Sequence, residues 1–143
     1  MYVREATVFD APYIADISMQ VFGERNVEKI ERDIENPNYV YYVLLNDSDM
    51  IVSYMSLMLT TLDADVLMVV TDRHNRGKGY ASVLMKEVLS SLKQKGISDV
   101  YLEVRENNDI ARKLYKRFGF EPVSIRKKYY DGTIDGIVMK LSI

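Results

Sequence analysis

The sequence predicts a mixed α/β domain in which a largely antiparallel sheet packs against helices. Runs rich in β-branched and aromatic residues alternate with segments whose apolar residues recur every three or four positions, in the order β-α-α-β-β-β-α-β-α-β-β. Three strand-like runs follow one another with only short polar turns between them, which favours antiparallel neighbours. The length of 143 residues and the apolar content of 48% predict one domain, residues 1–143.

The strands are expected where apolar residues cluster between polar turns. Asn46–Asp49 joins two of these runs and predicts a hairpin. Tyr129-Tyr130-Asp131-Gly132 lies between the last two runs and predicts a closing pair of strands. In order, the predicted strands are Tyr2–Val8, Tyr39–Leu45, Met50–Leu59, Val66–Val70, Asp99–Val104, Val123–Lys128 and Thr133–Leu141.

Four helices are expected from apolar stripes bounded by capping residues. Asp10 is a candidate N-cap, with Pro12 in the following turn, and Gly96 occupies a position typical of a helix C-terminus. In order, the predicted helices run from Asp10 to Phe22-Gly23, from Asn26 to Asn36-Pro37-Asn38, from the end of the loop Thr71–Lys78 to about Lys95, and from Asn108 or Asp109 to Gly119.

Composition excludes several classes of chemistry. The chain has no cysteine and a single histidine, His74, which argues against disulfides, thiolate nucleophiles and metal sites. No apolar run approaches the roughly 18–20 residues that span a bilayer, so no membrane partner is expected. Charges near the N-terminus argue against a signal peptide, and we expect a cytoplasmic protein.

Charge is distributed unevenly along the chain. Residues 1–65 carry 12 acidic and 4 basic side chains, whereas residues 66–143 carry 9 and 15. The basic half could face an anionic cofactor while the acidic half attracts a cationic substrate; ordinary solvated surface charge explains the counts equally well. The short basic run Arg126–Lys128 is weak evidence for nucleic acid, and no nucleic-acid partner is expected.

A polar, glycine-containing loop between a strand and a helix predicts a phosphate-binding site. Gly77 and Gly79 allow backbone N–H groups to approach a ligand closely, the following helix directs its positive end to the same place, and Arg76 and Lys78 add charge. Neither the G-x-G-x-x-G nor the G-x-x-x-x-G-K-S/T pattern is present. A purely structural tight turn would use the same glycines.

Two blocks of sequence resemble the GNAT superfamily of N-acetyltransferases. Arg76-Gly77-Lys78-Gly79-Tyr80-Ala81 matches the R/Q-x-x-G-x-G/A signature. Leu102–Tyr115, followed by Phe118-Gly119-Phe120, matches the downstream E-V-R-x-x-N-x-x-A-x-x-L-Y-x-x-x-G-F pattern. The tail, Ile125–Tyr130 and Asp135–Met139, looks most like the RimI-type branch, which acetylates the N-terminal alanine of a ribosomal protein. The resemblance implies the GNAT fold, with a sheet splayed between its fourth and fifth strands.

The resemblance also implies a site for acetyl-CoA as cosubstrate, without a metal. The backbone of Val69, Val70 and Thr71 would bind the pantetheine arm, and Asn108 matches a cofactor-contacting asparagine. The pyrophosphate would lie on the backbone N–H groups of the loop. The loop residues concerned are Arg76, Gly77, Lys78, Gly79, Tyr80 and Ala81.

Two catalytic residues follow from the same motifs. Tyr115 would be the general acid that protonates the departing thiolate, because a phenol with a pKa of about 10 keeps its proton at neutral pH. Glu103 matches the RimI-type general base and stands within an apolar strand, where a carboxylate is uncommon. On spacing alone Tyr115 could simply fill the apolar face of its helix, and Glu103 could face solvent or pair with an arginine.

The acceptor amine is less well defined. Tyr129 and Tyr130 match a tyrosine pair that contacts peptide in N-terminal acetyltransferases, although they could be surface aromatics beside a turn. Phe22-Gly23-Glu24 replaces the aromatic-Pro-Trp element of the RimI-type branch, so Phe22 would form only part of the substrate wall. We expect a protein N-terminus as acceptor, with a ribosomal protein among the candidates.

Two alternatives remain open at this point. The first is an acetyltransferase acting on a small amine, such as a polyamine or an amino sugar. The second is a non-catalytic acyl-CoA-binding module. The sequence gives no oligomeric state.

Overall fold

The computed structural model describes all residues from Met1 to Ile143 and contains seven strands and four α-helices. Two short 3₁₀ turns, Val8–Asp10 and Arg73–Asn75, precede α1 and α3. The strands are β1 (Tyr2–Glu5), β2 (Tyr39–Leu45), β3 (Ile51–Leu59), β4 (Asp63–Thr71), β5 (Asp99–Arg105), β6 (Glu121–Tyr130) and β7 (Ile134–Ser142). The helices are α1 (Ala11–Phe22), α2 (Val27–Glu35), α3 (Tyr80–Gln94) and α4 (Asp109–Arg117).

All seven strands belong to one sheet, in the order β1-β2-β3-β4-β5-β7-β6. Only β4 and β5 run parallel, and their pairing is confined to Asp63–Asp65 against Asp99–Tyr101. Beyond these three pairs the two strands separate, so residues 66–71 of β4 have β3 on one side and no strand on the other. The predicted element order, the mostly antiparallel sheet and the splay between the fourth and fifth strands are confirmed.

Two apolar layers hold the sheet between helices. On one face α3 contributes Leu84, Met85, Val88 and Leu92 to a core of 17 buried residues. On the other face α1 and α2 pack over β2, β3 and β4 and bury a second core of 10 residues. The helices α1 and α2 make their sheet contacts with β2–β4, and the same face of β5, β7 and β6 carries polar and aromatic side chains. No helix in the structure has the length and apolar character needed to cross a membrane.

Several predicted boundaries were wrong, each for a local reason. The first strand ends at Glu5, because the Asp10 carboxylate accepts hydrogen bonds from the Thr7 amide (2.8 Å) and from Arg4 (2.7 Å) and draws the chain into a 3₁₀ turn. Asp10 occupies the N-cap position of α1 as predicted, but its side chain accepts no hydrogen bond from that helix. The strand predicted as Val66–Val70 begins at Asp63, where backbone pairing with β5 overrides the polar side chains.

The last hairpin also differs from its prediction. Strand β6 extends over Glu121–Tyr130, so Tyr129 and Tyr130 lie at the end of a strand rather than in the turn. Between Arg126 and Tyr130 the pairing with β7 is interrupted by an irregularity, and Lys128 has a φ of 50°. A bulge of this kind redirects side chains at the end of a strand.

Candidate functional site

The gap between β4 and β5 opens into a cleft of about 600 Å³. Its walls come from the free edge of β4, the loop before α3, the first turn of α3 and α4. A strand with an open edge presents unpaired N–H and C=O groups, which can bind an extended ligand. Lining residues are Val21, Val69, Val70, Thr71, Asn75, Arg76, Gly77, Gly79, Tyr80, Ala81, Ser82, Asn108, Ile110, Ala111, Leu114, Tyr115 and Arg117.

The cleft therefore brings together every predicted cofactor-contacting residue except Lys78, which is exposed in the same loop. Seven lining residues were not predicted as site residues: Val21, Asn75, Ser82, Ile110, Ala111, Leu114 and Arg117. Ile110, Leu114 and Arg117 follow one another at helical spacing along α4, so a pattern could have identified them. Val21 belongs to a helix distant in sequence, and only the tertiary fold places it here.

The N-terminus of α3 is built to receive an anion. Its N-cap, Gly79, has a φ of 79° and no side chain to cap the helix, and Gly77 has a φ of 76°. The first intrahelical bond runs from the Val83 amide to the Gly79 carbonyl at 3.2 Å. The preceding amides, of Tyr80, Ala81 and Ser82, have no carbonyl in an earlier turn to bond to. These N–H groups and the positive end of the helix dipole face the cleft and would stabilise a negatively charged group there.

The loop is tied to α1 through Asp72. The Gln20 side-chain amide donates to Asp72 at 2.6 Å, and the Asn75 side chain and the His74 amide donate at 2.8 and 3.2 Å. These hydrogen bonds, the one from Gln20 first, lower the pKa of Asp72. Arg76 donates to the Thr71 carbonyl at 3.4 Å, so its guanidinium stays near the end of β4. His74 is exposed and does not line the cleft.

Tyr115 and Asn108 enter the cleft from α4. The Asn108 side-chain oxygen accepts from the Ala111 amide at 3.2 Å and caps the helix, so this asparagine both starts α4 and lines the cleft. Tyr115 packs edge-on against Phe120, with ring centroids 5.9 Å apart. Burial raises the pKa of the Tyr115 phenol, so the group keeps its proton well into the alkaline range. Tyr115 is thus a packed residue whose protonated phenol lines the cleft.

Glu103 lies on the opposite face of the sheet. Val100, Leu102 and Val104 point into the α3 core, and alternation along β5 directs Glu103 away from it. Its side chain is 24% exposed and lies 3.3 Å from Arg126 Nε. The Oε1 atom is buried and has no hydrogen-bond partner. The pairing with an arginine considered from the sequence is therefore present, but Arg126 approaches this same Oε1 atom without forming a hydrogen bond.

Tyr129 and Tyr130 are packed beside Glu103. Their rings meet edge to face at a centroid distance of 5.2 Å. Arg105 stacks on Tyr130 at 4.6 Å and Arg126 on Tyr129 at 5.2 Å. Burial and the nearby Glu103 carboxylate raise the pKa of Tyr130. Three predicted site residues thus form one cluster, joined by Arg126, which was not predicted as a site residue.

Phe22 stands apart from both groups. It ends α1, is 53% exposed and borders a smaller pocket of about 260 Å³ between α1, α2 and the sheet. Met68 of β4, Tyr41 and Tyr54 form the floor of this pocket. The structure therefore does not bring Phe22 together with Glu103 or with the large cleft. Its neighbour Val21 is the α1 residue that reaches the cleft.

Comparison with known proteins agrees with this architecture. A ribosomal protein bS18-alanine N-acetyltransferase of Haemophilus ducreyi is 33% identical over 96 residues, covering 65% of this chain and 66% of the relative. A putative enzyme of the same name from Bacillus subtilis is 28% identical over 144 residues, covering 100% of this chain and 87% of the relative. The crystal structure of the ribosomal-protein-S18-alanine N-acetyltransferase from Escherichia coli superposes with a TM-score of 0.88 over 99% of this chain and 93% of that chain.

That crystal structure is 23% identical to this chain and shows that the fold is shared. The sequence profile described as the acetyltransferase (GNAT) family matches residues 9–120, most of the chain. The chain therefore belongs to the GNAT family of acetyltransferases, an enzyme family that uses acetyl-CoA as cosubstrate.

Proposed function

We propose that this chain, acting as one domain in the cytoplasm, transfers the acetyl group of acetyl-CoA to the N-terminal α-amine of a protein. The observation that carries the proposal is the cleft at the splayed strands. It joins the free edge of β4, the uncapped N-terminus of α3 and Tyr115 in one continuous space. Extended pantetheine fits the strand edge, and a pyrophosphate fits the free amides of α3.

The acceptor would approach from the other face of the sheet. Glu103, Tyr129 and Tyr130 are clustered there, and Glu103 lies on β5 just beyond the last residue paired with β4. Since Tyr115 lies in the cleft on the α3 side, the two proposed proton-transfer groups stand on opposite sides of the opening. An acetyl group held in the gap would be reachable from both.

The chemistry requires two proton transfers. Acetyl-CoA supplies a thioester whose C–S bond breaks as the amine nitrogen forms a bond to the carbonyl carbon. Glu103 accepts the proton that the amine loses, and Tyr115 gives its proton to the departing sulfur. Because burial raises the pKa of Tyr115 above its ordinary value, this phenol is protonated near neutral pH, where an α-amine is already partly neutral.

The weakness of a carboxylate base favours an α-amine over a lysine side chain. With a pKa of about 8, a free α-amine is neutral in roughly a tenth to a quarter of molecules near neutral pH. A lysine with a pKa of about 10.4 is neutral in about 0.1%. The names of the relatives make an N-terminal alanine of a ribosomal protein the first acceptor to test.

The test is thiol release with acetyl-CoA and a panel of acceptors. We expect turnover on a short peptide that begins with Ala and none on the same peptide blocked at its N-terminus, even when it contains an internal lysine. Tyr115→Phe should lower kcat by roughly 10²-fold or more and leave the KM for acetyl-CoA unchanged. Glu103→Gln should lower kcat for the peptide. Tyr13→Phe, at an exposed position of α1, is the matched control and should retain full activity.

Other outcomes identify the alternatives. Turnover on spermidine but on no Ala- or Ser-initiated peptide would make the chain a small-amine acetyltransferase. Tight binding of acetyl-CoA without turnover on any amine would make it a binding module. Full activity of Tyr115→Phe would remove Tyr115 from the mechanism.

A further inference from the structure

The Glu103 carboxylate occupies an unusual position. Its Oε1 atom is excluded from solvent and accepts no hydrogen bond. A buried carboxylate oxygen without a donor costs free energy, so native structures rarely contain one away from functional sites. The nearest positive charge, Arg126 Nε, lies 3.3 Å away without the alignment of a hydrogen bond. The lone pairs of Oε1 therefore remain available to an incoming N–H group.

Three neighbouring residues enclose this oxygen. At Gly136 of β7, a Cβ would lie 2.7 Å from Glu103 Oε1 and 3.2 Å from the Tyr130 ring. Gly136 thus provides the space in which the carboxylate lies, and the Tyr130 ring lies beside it. Arg126 is paired with Gly136 across the β6–β7 ladder, which places its guanidinium on the same face as Glu103.

Arg126 differs from the two cations that follow it on β6. Lys127 pairs with Asp135 at 3.5 Å, and the backbone amide of Lys128 donates to Asp135 at 2.7 Å. Only Arg126 turns toward Glu103, and its guanidinium is held there by stacking on Tyr129 at 5.2 Å. A planar guanidinium supported by an aromatic ring is more rigid than a lysine ammonium.

We propose that Arg126 is a positioning residue for Glu103: it holds the carboxylate over Gly136 through a charge contact to Oε1 that is not a hydrogen bond, so that the lone pairs of Oε1 can accept the proton of the acceptor amine. This oxygen is excluded from solvent in the structure and the Tyr130 ring lies nearby, so the acceptor must move this ring aside when it binds. The inference rests on the proposed role of Glu103 as general base.

A double-mutant cycle tests the inference. Arg126→Ala in the wild-type background should lower kcat for the Ala-initiated peptide between about tenfold and a hundredfold, because a base displaced by an ångström loses that much. The KM for acetyl-CoA should not change, since Arg126 does not line the cleft. In the Glu103→Gln background the same substitution should change kcat by less than about twofold. Arg126→Lys should recover part of the lost activity.

Lys127→Ala is the matched control, since this neighbour reaches Asp135 instead of Glu103, and it should retain wild-type kcat. Equal losses from Arg126→Ala in both backgrounds would overturn the inference, because Arg126 would then act elsewhere. So would full activity of Arg126→Ala when Glu103→Gln is impaired. Full activity of Glu103→Gln would instead refute the general base itself, which separates failure of the proposed mechanism from failure of the positioning role alone.

Discussion

At the scale of single residues, Gly136 shows how closely the residues around Glu103 pack together. Six of the seven glycines have positive φ, and their identity is explained by backbone conformation. Gly136 does not have a positive φ, so any residue could adopt its backbone conformation. What requires a glycine is the Glu103 carboxylate, which approaches within 2.7 Å of the position of a Cβ.

We therefore expect Gly136→Ala to impair catalysis while leaving the fold intact. The atom in conflict is the end of a flexible side chain, so Glu103 can move aside at little cost to stability. Thermal unfolding should change little, whereas kcat for the peptide acceptor should fall about tenfold or more. Steady-state kinetics beside a melting curve distinguish the two effects. A large loss of Tm with normal kcat in the surviving enzyme would contradict this expectation.

At the scale of secondary-structure elements, α3 carries a glycine with positive φ at each end. Gly79 begins the helix at the cleft with a φ of 79°, and Gly96 follows its C-terminus with a φ of 84°. A Cβ added at either position would have no atom within 4 Å, so alanine is opposed only by the backbone conformation. Comparing alanine substitutions at these two glycines therefore separates the effect of backbone strain on stability from the effect on ligand binding.

Both Gly79→Ala and Gly96→Ala should destabilise the protein by about 1–2 kcal/mol, since a left-handed backbone is unfavourable for alanine. Only Gly79→Ala should raise the KM for acetyl-CoA, because it alters the backbone that presents the amides of Tyr80 and Ala81 to the cleft. Urea denaturation gives the first quantity and initial-rate kinetics the second. An equal rise in KM for both variants would mean that global stability, and not the loop, determines cofactor binding.

The helix caps show which features of an element the local sequence predicts and which it does not. Asn26 and Asn108 were predicted as helix caps, and both accept the expected backbone amide, from Lys29 at 3.1 Å and from Ala111 at 3.2 Å. Asp10 occupies the predicted N-cap position of α1, but its carboxylate accepts hydrogen bonds from Arg4 and Thr7 and none from α1. A cap within one helix can be predicted from residue spacing. The hydrogen bonds that engage Asp10 instead depend on where the fold places the segment before α1.

At the scale of the whole molecule, the proposed cofactor-binding residues could be predicted from local sequence, whereas the arrangement of the proposed acceptor-binding residues depends on the fold. The proposed cofactor-binding stretch is nearly continuous in sequence, from β4 through the loop into α3, and its predicted residues except Lys78 lie together in the cleft. The contacts among the proposed acceptor-binding residues depend on which strands are neighbours in the sheet. Arg126 meets Glu103 only because β7 lies between β5 and β6, an order that no local pattern indicates. Its role could not be predicted from a basic run on an exposed strand.

Burial of tyrosines on both faces of the sheet makes the stability of the whole molecule sensitive to alkali. Burial raises the pKa of Tyr54 and Tyr115 above the ordinary value, and burial together with the Asp33 carboxylate does the same for Tyr41. In the unfolded chain these phenols ionise near pH 10. Above that pH the unfolded state releases protons that the folded state retains, so the free energy of unfolding must fall.

We expect stability to be unaffected by these tyrosines below about pH 10 and to decline as the pH rises beyond it. Urea denaturation midpoints between about pH 8 and 11 measure the effect. Tyr54→Phe keeps the ring stacked on Tyr41, at a centroid distance of 6.1 Å, but removes one ionisable phenol, so its midpoint should fall less steeply than that of the wild type. A wild-type midpoint that stays constant over this range, or a Tyr54→Phe slope equal to that of the wild type, would contradict the coupling. Since the buried phenols lie in both apolar layers, the decline should appear as one cooperative loss of structure and not as the melting of a single face.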